Sequence, residues 1–283
     1  MSELACTVSA LNVYPIKSCA GVVLSEALLV ETGIEFDRAW MVVDPAGDLV
    51  TQRELPRMAL IQPSFKNGEL VLRAPGMLAL HLKLDTVEKP TRARVWSDIV
   101  KAYDMGALAA QWFSDFLGPT LRLVRFDPDQ QRLSDPKWAG DVAAENAFAD
   151  GYPLLVANTA SLDDLNTRLG ARGVAPVTMA RFRPNLVLGG LSAFDEDHID
   201  EVRITTANGL VRLRLVKPCT RCTIPNVDPV SAATSHEPGD TLQGYRADPR
   251  MEGAITFGMN AVTLQGFENL LRVGQTASAG LKF

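Results

Sequence analysis

Turn signals punctuate the chain at intervals too short for long helices. β-type runs fall at residues 6–14, 21–30, 39–43, 69–73, 91–96 and 100–103, with turns such as Asp44-Pro45-Ala46-Gly47 and Lys66-Asn67-Gly68 between them. That spacing predicts a sheet-rich module. Leu108, Trp112, Phe113, Phe116 and Leu117 then recur at helical spacing and stop at Gly118-Pro119, which predicts one amphipathic helix. Its apolar stripe, Trp112 included, reads as core. Residues 127–147, DPDQQRLSDPKWAGDVAAENA, carry two prolines and no period, and read as a long surface connection between two modules. Beyond them lie an apolar run at 154–157, a helix over 161–169 with Ser161 as N-cap and Asp164 three residues on, and strand-like segments at 185–188, 201–206, 210–216 and 261–265. There is no regular strand–helix–strand alternation and no internal repeat, and Gly189-Gly190 lacks the context of a dinucleotide loop. The expectation is an α+β, mostly β fold with closed or barrel-like sheets and a few peripheral helices.

Composition narrows the function. With 283 residues, 47% of them apolar and 22% charged, the chain must bury a substantial core. Its net charge of −5 argues against a sequence-independent grip on a nucleic-acid polymer, which needs surplus Lys and Arg. The N-terminal MSELACTVSALNVYPIKS lacks the basic start and long apolar run of a secretion signal, and no uncharged stretch approaches the roughly 18 residues that span a bilayer. Four cysteines are too few for a disulfide scaffold. A cytoplasmic protein with no membrane partner is expected.

Two of those cysteines sit in the most informative segment, Lys217-Pro218-Cys219-Thr220-Arg221-Cys222-Thr223-Ile224-Pro225. It follows a strand and is expected to leave the sheet where the prolines interrupt it. Lys217 and Arg221 favour thiolate at whichever cysteine they approach. The pair fits half of a structural zinc site, although Cys6, Cys19, His81, His198 and His236 lack ligand spacing. It also fits a redox disulfide, although Pro225 and the β-rich setting disfavour the helix start that chemistry uses. A single thiolate ligand to a metal otherwise held by an organic cofactor is the third use, and two inert loop cysteines the fourth.

Five segments together resemble the MOSC family, named after the C-terminal domain of molybdenum cofactor sulfurase. They are Asn12-Val13-Tyr14-Pro15-Ile16-Lys17-Ser18, Asp37-Arg38-Ala39-Trp40, Phe148-Ala149-Asp150-Gly151-Tyr152-Pro153, Phe182-Arg183-Pro184-Asn185 with the cysteine loop, and Phe257-Gly258-Met259-Asn260. The resemblance implies two β-barrel-like MOSC modules, an N-terminal one over 4–122 and the MOSC domain proper over 130–280. Its molybdenum-reducing branch includes the amidoxime-reducing component of mitochondria and bacterial proteins that detoxify N-hydroxylated bases. Similarity to that branch implies the molybdenum cofactor, molybdopterin carrying molybdenum, with Cys222 as metal ligand and catalytic residue and Cys219 as a neighbour without a metal role. The family also carries a label of pyridoxal phosphate binding.

Carried over residue by residue, the resemblance implies Lys17, Ser18, Arg38, Arg183 and Asn185 around the pterin, with Asp150 beside the cofactor as a catalytic residue that assists proton delivery or orients the metal's oxo ligand; an ordinary Asx turn before a strand is its other reading. Thr220 would cap the loop or touch the cofactor, and Asn260 is open. A phosphate monoester needs converging donors, and guanidinium forks suit it. Pro184 should hold Arg183 extended. The implied activity is reduction of a small N-hydroxylated compound. Some bacterial relatives carry an iron–sulfur domain whose clustered cysteines this sequence lacks, so a separate flavin reductase or ferredoxin-type protein is expected to deliver electrons. The competing function is a carrier of molybdenum cofactor, or of sulfur as a persulfide on Cys222.

Overall fold

The computed structural model describes residues 3–282. Seven strands close into a barrel in the order Leu154–Asn158, Leu186–Gly189, Glu3–Val13, Thr276–Leu281, Ile199–Thr206, Gly209–Thr220 and Ala254–Gln265, the last pairing back onto the first. Leu154–Asn158 and Leu186–Gly189 run parallel, and the other neighbours are antiparallel. Closure leaves no free edge. Its interior holds Val8, Leu11, Val156, Leu188, Ile204, Leu213 and Met259, with Ala261, Ala277 and Ala279 where the wall is tight. The mostly β fold thus has its closed element built largely from the second half of the chain, completed by the first strand.

The rest of the first half forms smaller antiparallel sheets. Trp40–Val43, Arg122–Phe126, Asp98–Asp104 and Lys89–Val95 make one, Gln62–Lys66, Glu69–Arg73 and Leu80–Lys83 another. A third joins the halves, because Glu26–Val30 pairs with Leu270–Arg272. The helix Gly106–Leu117 buries Ala109, Trp112, Phe113, Phe116 and Leu117 against Trp40, Val42 and Leu123, while Leu108 faces outward at 72% exposure. Its apolar stripe is therefore narrower than the sequence suggests.

Two local expectations are corrected. The later helix spans Thr159–Ala171, and its cap is Asn158, whose side chain accepts from the Ala160 amide; Ser161 lies inside, fully buried, with Oγ on the Glu196 carboxylate. Pro218 does not end its strand, which runs on to Thr220 through register shifts on either side of the proline, so the missing N–H falls at an irregularity of the ladder. Among the described residues no helix is long and apolar enough to cross a membrane.

Candidate active site

The first strand ends at Val13 on the barrel end where Leu154–Asn158 and Leu186–Gly189 begin, and Gly209–Thr220, parallel to Leu154–Asn158, sets Lys217 level with Leu155 across the shared strand Ala254–Gln265. The residues just beyond these strand ends meet the 38–40 and 94–98 regions of the first half around a cleft of about 690 Å³. Lys17, Ser18, Arg38, Asp150, Arg183, Asn185, Thr220 and Cys222 all line it, as do Cys219 and Asn260. Seven Lys and Arg side chains line it against three carboxylates, Asp98, Asp135 and Asp150, so an acidic chain carries a cationic cleft.

Backbone hydrogen bonds lace the segments together. Lys17 N–H donates to Trp40 O at 2.8 Å, Arg38 N–H to Tyr14 O at 2.8 Å and Phe148 N–H to Arg38 O at 3.0 Å. Ser18, Arg38 and Arg183 have φ of 68°, 49° and 59°. Side chains resist this left-handed region, and strain held by the surroundings clusters at functional sites. Arg183 is thus not extended as its proline neighbour suggested. The turn aims its guanidinium back, and Nη1 donates to Cys19 O at 2.6 Å.

The arginines are held rather than loose. Arg38 Nη1 donates to Asp37 Oδ2 at 2.5 Å and Asn185 Oδ1 at 3.2 Å, and Nη2 to Arg183 O at 3.1 Å. The Tyr14 ring lies 4.4 Å from the Arg38 guanidinium carbon and 4.3 Å from that of Arg183, a cation–π contact with each. Asn185 is itself committed, its Oδ1 accepting also from Leu155 N–H at 3.1 Å and its Nδ2 donating to Asn12 O at 3.3 Å. It positions Arg38 and two barrel strands. Burial, then the neighbouring Arg38 charge, pushes Arg183 down to about 10. Its Nη2 is buried without a partner among the described residues. A buried unspent donor is costly and calls for an acceptor.

Lys17 is buried, donating to Phe148 O at 2.8 Å and to Asp150 Oδ1. Burial lowers its pKa, and Asp150 opposes the shift. Asp150 is held below the usual carboxylate range: the protein around it pushes upward, and the Lys17 charge and hydrogen bonds from Lys17 and Trp96 outweigh that. Its side chain is nevertheless 78% exposed, because it lies on the wall of a concave but open cleft.

On the opposite wall Arg221 Nη1 donates to Cys219 Sγ at 2.9 Å and Nη2 to Phe182 O at 2.9 Å, fixing the cysteine loop against the Arg183 turn. Cys222 is exposed. Arg221 thus contacts Cys219 and leaves Cys222 facing the cleft. Cys6 and Cys19 are buried, and burial raises their thiols to about 11 and about 12. Among the described residues no group of three or more His, Cys, Asp and Glu could hold a metal ion.

Sequence reasoning missed Tyr14, Arg53, Trp96 and Arg132. Tyr14, within Asn12-Val13-Tyr14-Pro15-Ile16-Lys17-Ser18, is the one that carries a sequence signal. Trp96 and Arg53 enter through a hairpin and a turn whose approach to the cleft has no local signature.

Residues 5–120 match the family model of the MOSC N-terminal beta barrel domain and residues 143–278 that of the MOSC domain, which sets the class. The mitochondrial amidoxime reducing component 2 of Homo sapiens is 38% identical over 254 residues, 86% of this chain and 73% of that one. Component 1 of Homo sapiens is 36% identical over 255 residues with the same coverage, and component 1 of Danio rerio 32% over 262 residues, 89% of this chain and 78% of that one. The chain belongs to this amidoxime-reducing component family of MOSC-domain proteins. Among solved structures, the YuaD protein of Bacillus subtilis aligns over 100% of this chain and 99% of its own at 10% identity and a TM-score of 0.38, a likeness that carries no functional argument.

Proposed function

We propose that this protein is a molybdenum-cofactor-dependent reductase of small N-hydroxylated compounds, built from an N-terminal MOSC module over 4–122 and a MOSC domain over 130–280. The observation that carries the reading is the pairing, in one cationic cleft, of an exposed Cys222 with the unspent buried donor at Arg183 Nη2. An anionic organic cofactor that lacks one metal ligand fits that donor set: it accepts from Arg183 and takes its missing ligand from a thiolate. Arg183 would receive anionic oxygen, Ser18 and Thr220 would offer hydroxyls, and Cys222 would ligate the metal. Arg38 and Asn185, spent on protein partners, act by holding the Arg183 turn in place.

The bound cofactor supplies two electrons for cleavage of an N–O bond, with the oxygen leaving as water after two protons are added. The chain's own residues supply placement and proton management. Lys17 and Asp150 form a charged pair at the cleft wall, and Asp150 Oδ2 accepts no hydrogen bond from a described residue, which leaves it for an N–H or O–H of the substrate. Names of the relatives point the same way, since they are amidoxime-reducing components. Electrons would come from a separate flavin reductase or ferredoxin-type protein.

The test is reduction of benzamidoxime by protein purified from a molybdenum-competent host, with an artificial electron donor. Turnover that disappears in Cys222→Ala together with molybdenum supports the reading. Molybdenum without turnover would favour a carrier of the cofactor, and turnover without molybdenum would overturn the cofactor assignment.

A further inference from the structure

The hairpin joining Lys89–Val95 to Asp98–Asp104 turns through Trp96 and Ser97 and lays Trp96 in the cleft wall. Its φ is 55°, an outlier for so bulky a residue that its surroundings must hold. The indole Nε1 donates to Asp150 Oδ1 at 3.1 Å, and the Arg53 guanidinium carbon lies 4.7 Å from the ring centroid. Two residues on, Asp98 Oδ2 accepts from Arg132 Nε at 2.7 Å, while Arg132 Nη1 donates to Ala149 O at 2.7 Å. The hairpin tip therefore grips the turn carrying Asp150 at two points.

This grip has two effects. Lys17 and Trp96 both use Oδ1 of Asp150, so the carboxylate rotation is fixed with Oδ2 free of described donors. At the same time 43% of the Trp96 surface stays exposed, beside the Arg53 and Lys17 cations, whose Cζ and Nζ lie 4.7 and 5.5 Å from the ring centroid. Indole offers an apolar face to a flat conjugated ligand, which prefers it to a puckered one.

We propose that Trp96 is a positioning and specificity-determining residue: its indole N–H aims Asp150 at the substrate's N–H or O–H, and its exposed ring surface stacks on the substrate's planar skeleton. The inference rests on the reductase reading above and adds a preference within its substrates, for planar conjugated N-hydroxylated compounds over aliphatic hydroxylamines.

The experiment compares Trp96→Phe, which keeps a ring and loses the N–H, with Trp96→Leu, which loses both. Each cofactor-loaded variant is assayed with benzamidoxime and N-cyclohexylhydroxylamine, molybdenum content is measured on each preparation, and binding of benzamidine is followed by calorimetry. Trp96→Leu should raise the KM for benzamidoxime and weaken benzamidine binding about tenfold, with less than about a twofold change in KM for the cyclohexyl compound. Trp96→Phe should leave the KM for benzamidoxime near the wild-type value and lower kcat for both substrates. Equal KM changes for the two substrates, or benzamidine binding that is absent or indifferent to Trp96→Leu, overturn the proposal. If the wild type reduces neither substrate the reductase reading fails, and the benzamidine comparison still decides whether Trp96 is a stacking wall.

Discussion

Two buried charged groups in this protein meet the same desolvation cost in opposite ways. Glu196, on the turn after the barrel strand Leu186–Gly189, is fully buried, and Ser161 Oγ lies 2.7 and 2.8 Å from its two oxygens. Burial pushes its carboxyl up to about 7, so near neutrality it sheds much of its charge. Arg183 cannot take that route, because guanidinium stays protonated even when burial lowers it to about 10. It keeps its charge, strains its backbone and retains an unpartnered buried donor. A closed polar contact serves the fold, whereas an unspent guanidinium donor beside a cleft is placed to take an acceptor from a ligand.

The largest effect that sharpens this contrast lies on the closed side. The folded pKa of Glu196 is above the ordinary 4.5, so its stabilising contribution is full below about pH 4.5 and is lost as pH rises through about 7. At about 1.4 kcal/mol per unit the gap amounts to about 3 kcal/mol. Glu196→Gln, which keeps an acceptor for Ser161 and cannot ionise, should remove that loss. Urea unfolding at pH 5 and pH 8 should show the variant gaining about 2 kcal/mol on the wild type between the two, most of that gap, with cofactor content unchanged; an equal pH dependence in both would show that Glu196 is not titrating.

On the open side, Arg183→Ala should weaken retention of the cofactor by about 30-fold, the order of a lost charge-assisted hydrogen bond, read as molybdenum remaining after dialysis. Full retention would mean the unspent donor is not the anchor. Lys17 sharpens the comparison further, because burial lowers its pKa. The Lys17–Asp150 pair should lose its positive member below the ordinary lysine value of 10.5, giving kcat/KM an alkaline limb there, falling about tenfold per pH unit beyond it. Lys17→Arg, if it folds, should move that limb upward, and a limb that stays in place would assign it to another group. The smallest effect belongs to Cys219. Its contact is Arg221 within the protein, so Cys219→Ser should cost less than about threefold in activity. A loss equal to that of Cys222→Ser would restore the disulfide chemistry.

That eight motif residues line one cleft was legible because motif residues next to strand ends are brought together when a barrel closes. Other features were not. Strand Thr276–Leu281 alternates only through Ala277 and Ala279, small enough for the narrow interior and too weakly apolar to stand out in a hydrophobicity pattern. The first strand reads as part of the N-terminal module but pairs with Leu186–Gly189 and Thr276–Leu281, a long-range choice that no local signal encodes. Local rules failed at Arg183 and Trp96, where tertiary contacts hold backbones that proline context and side-chain bulk disfavour. Both lie in the cleft.

The central claim is that Cys222 and the cationic cleft hold a molybdenum cofactor. Molybdenum and pterin should be quantified in parallel on freshly purified wild type and Cys222→Ala from a molybdenum-competent host. The account predicts both in the wild type at about one per chain, and loss of molybdenum in Cys222→Ala while the protein stays folded. Wild-type protein without molybdenum or pterin, or a Cys222→Ala variant that keeps its metal in full, would contradict it.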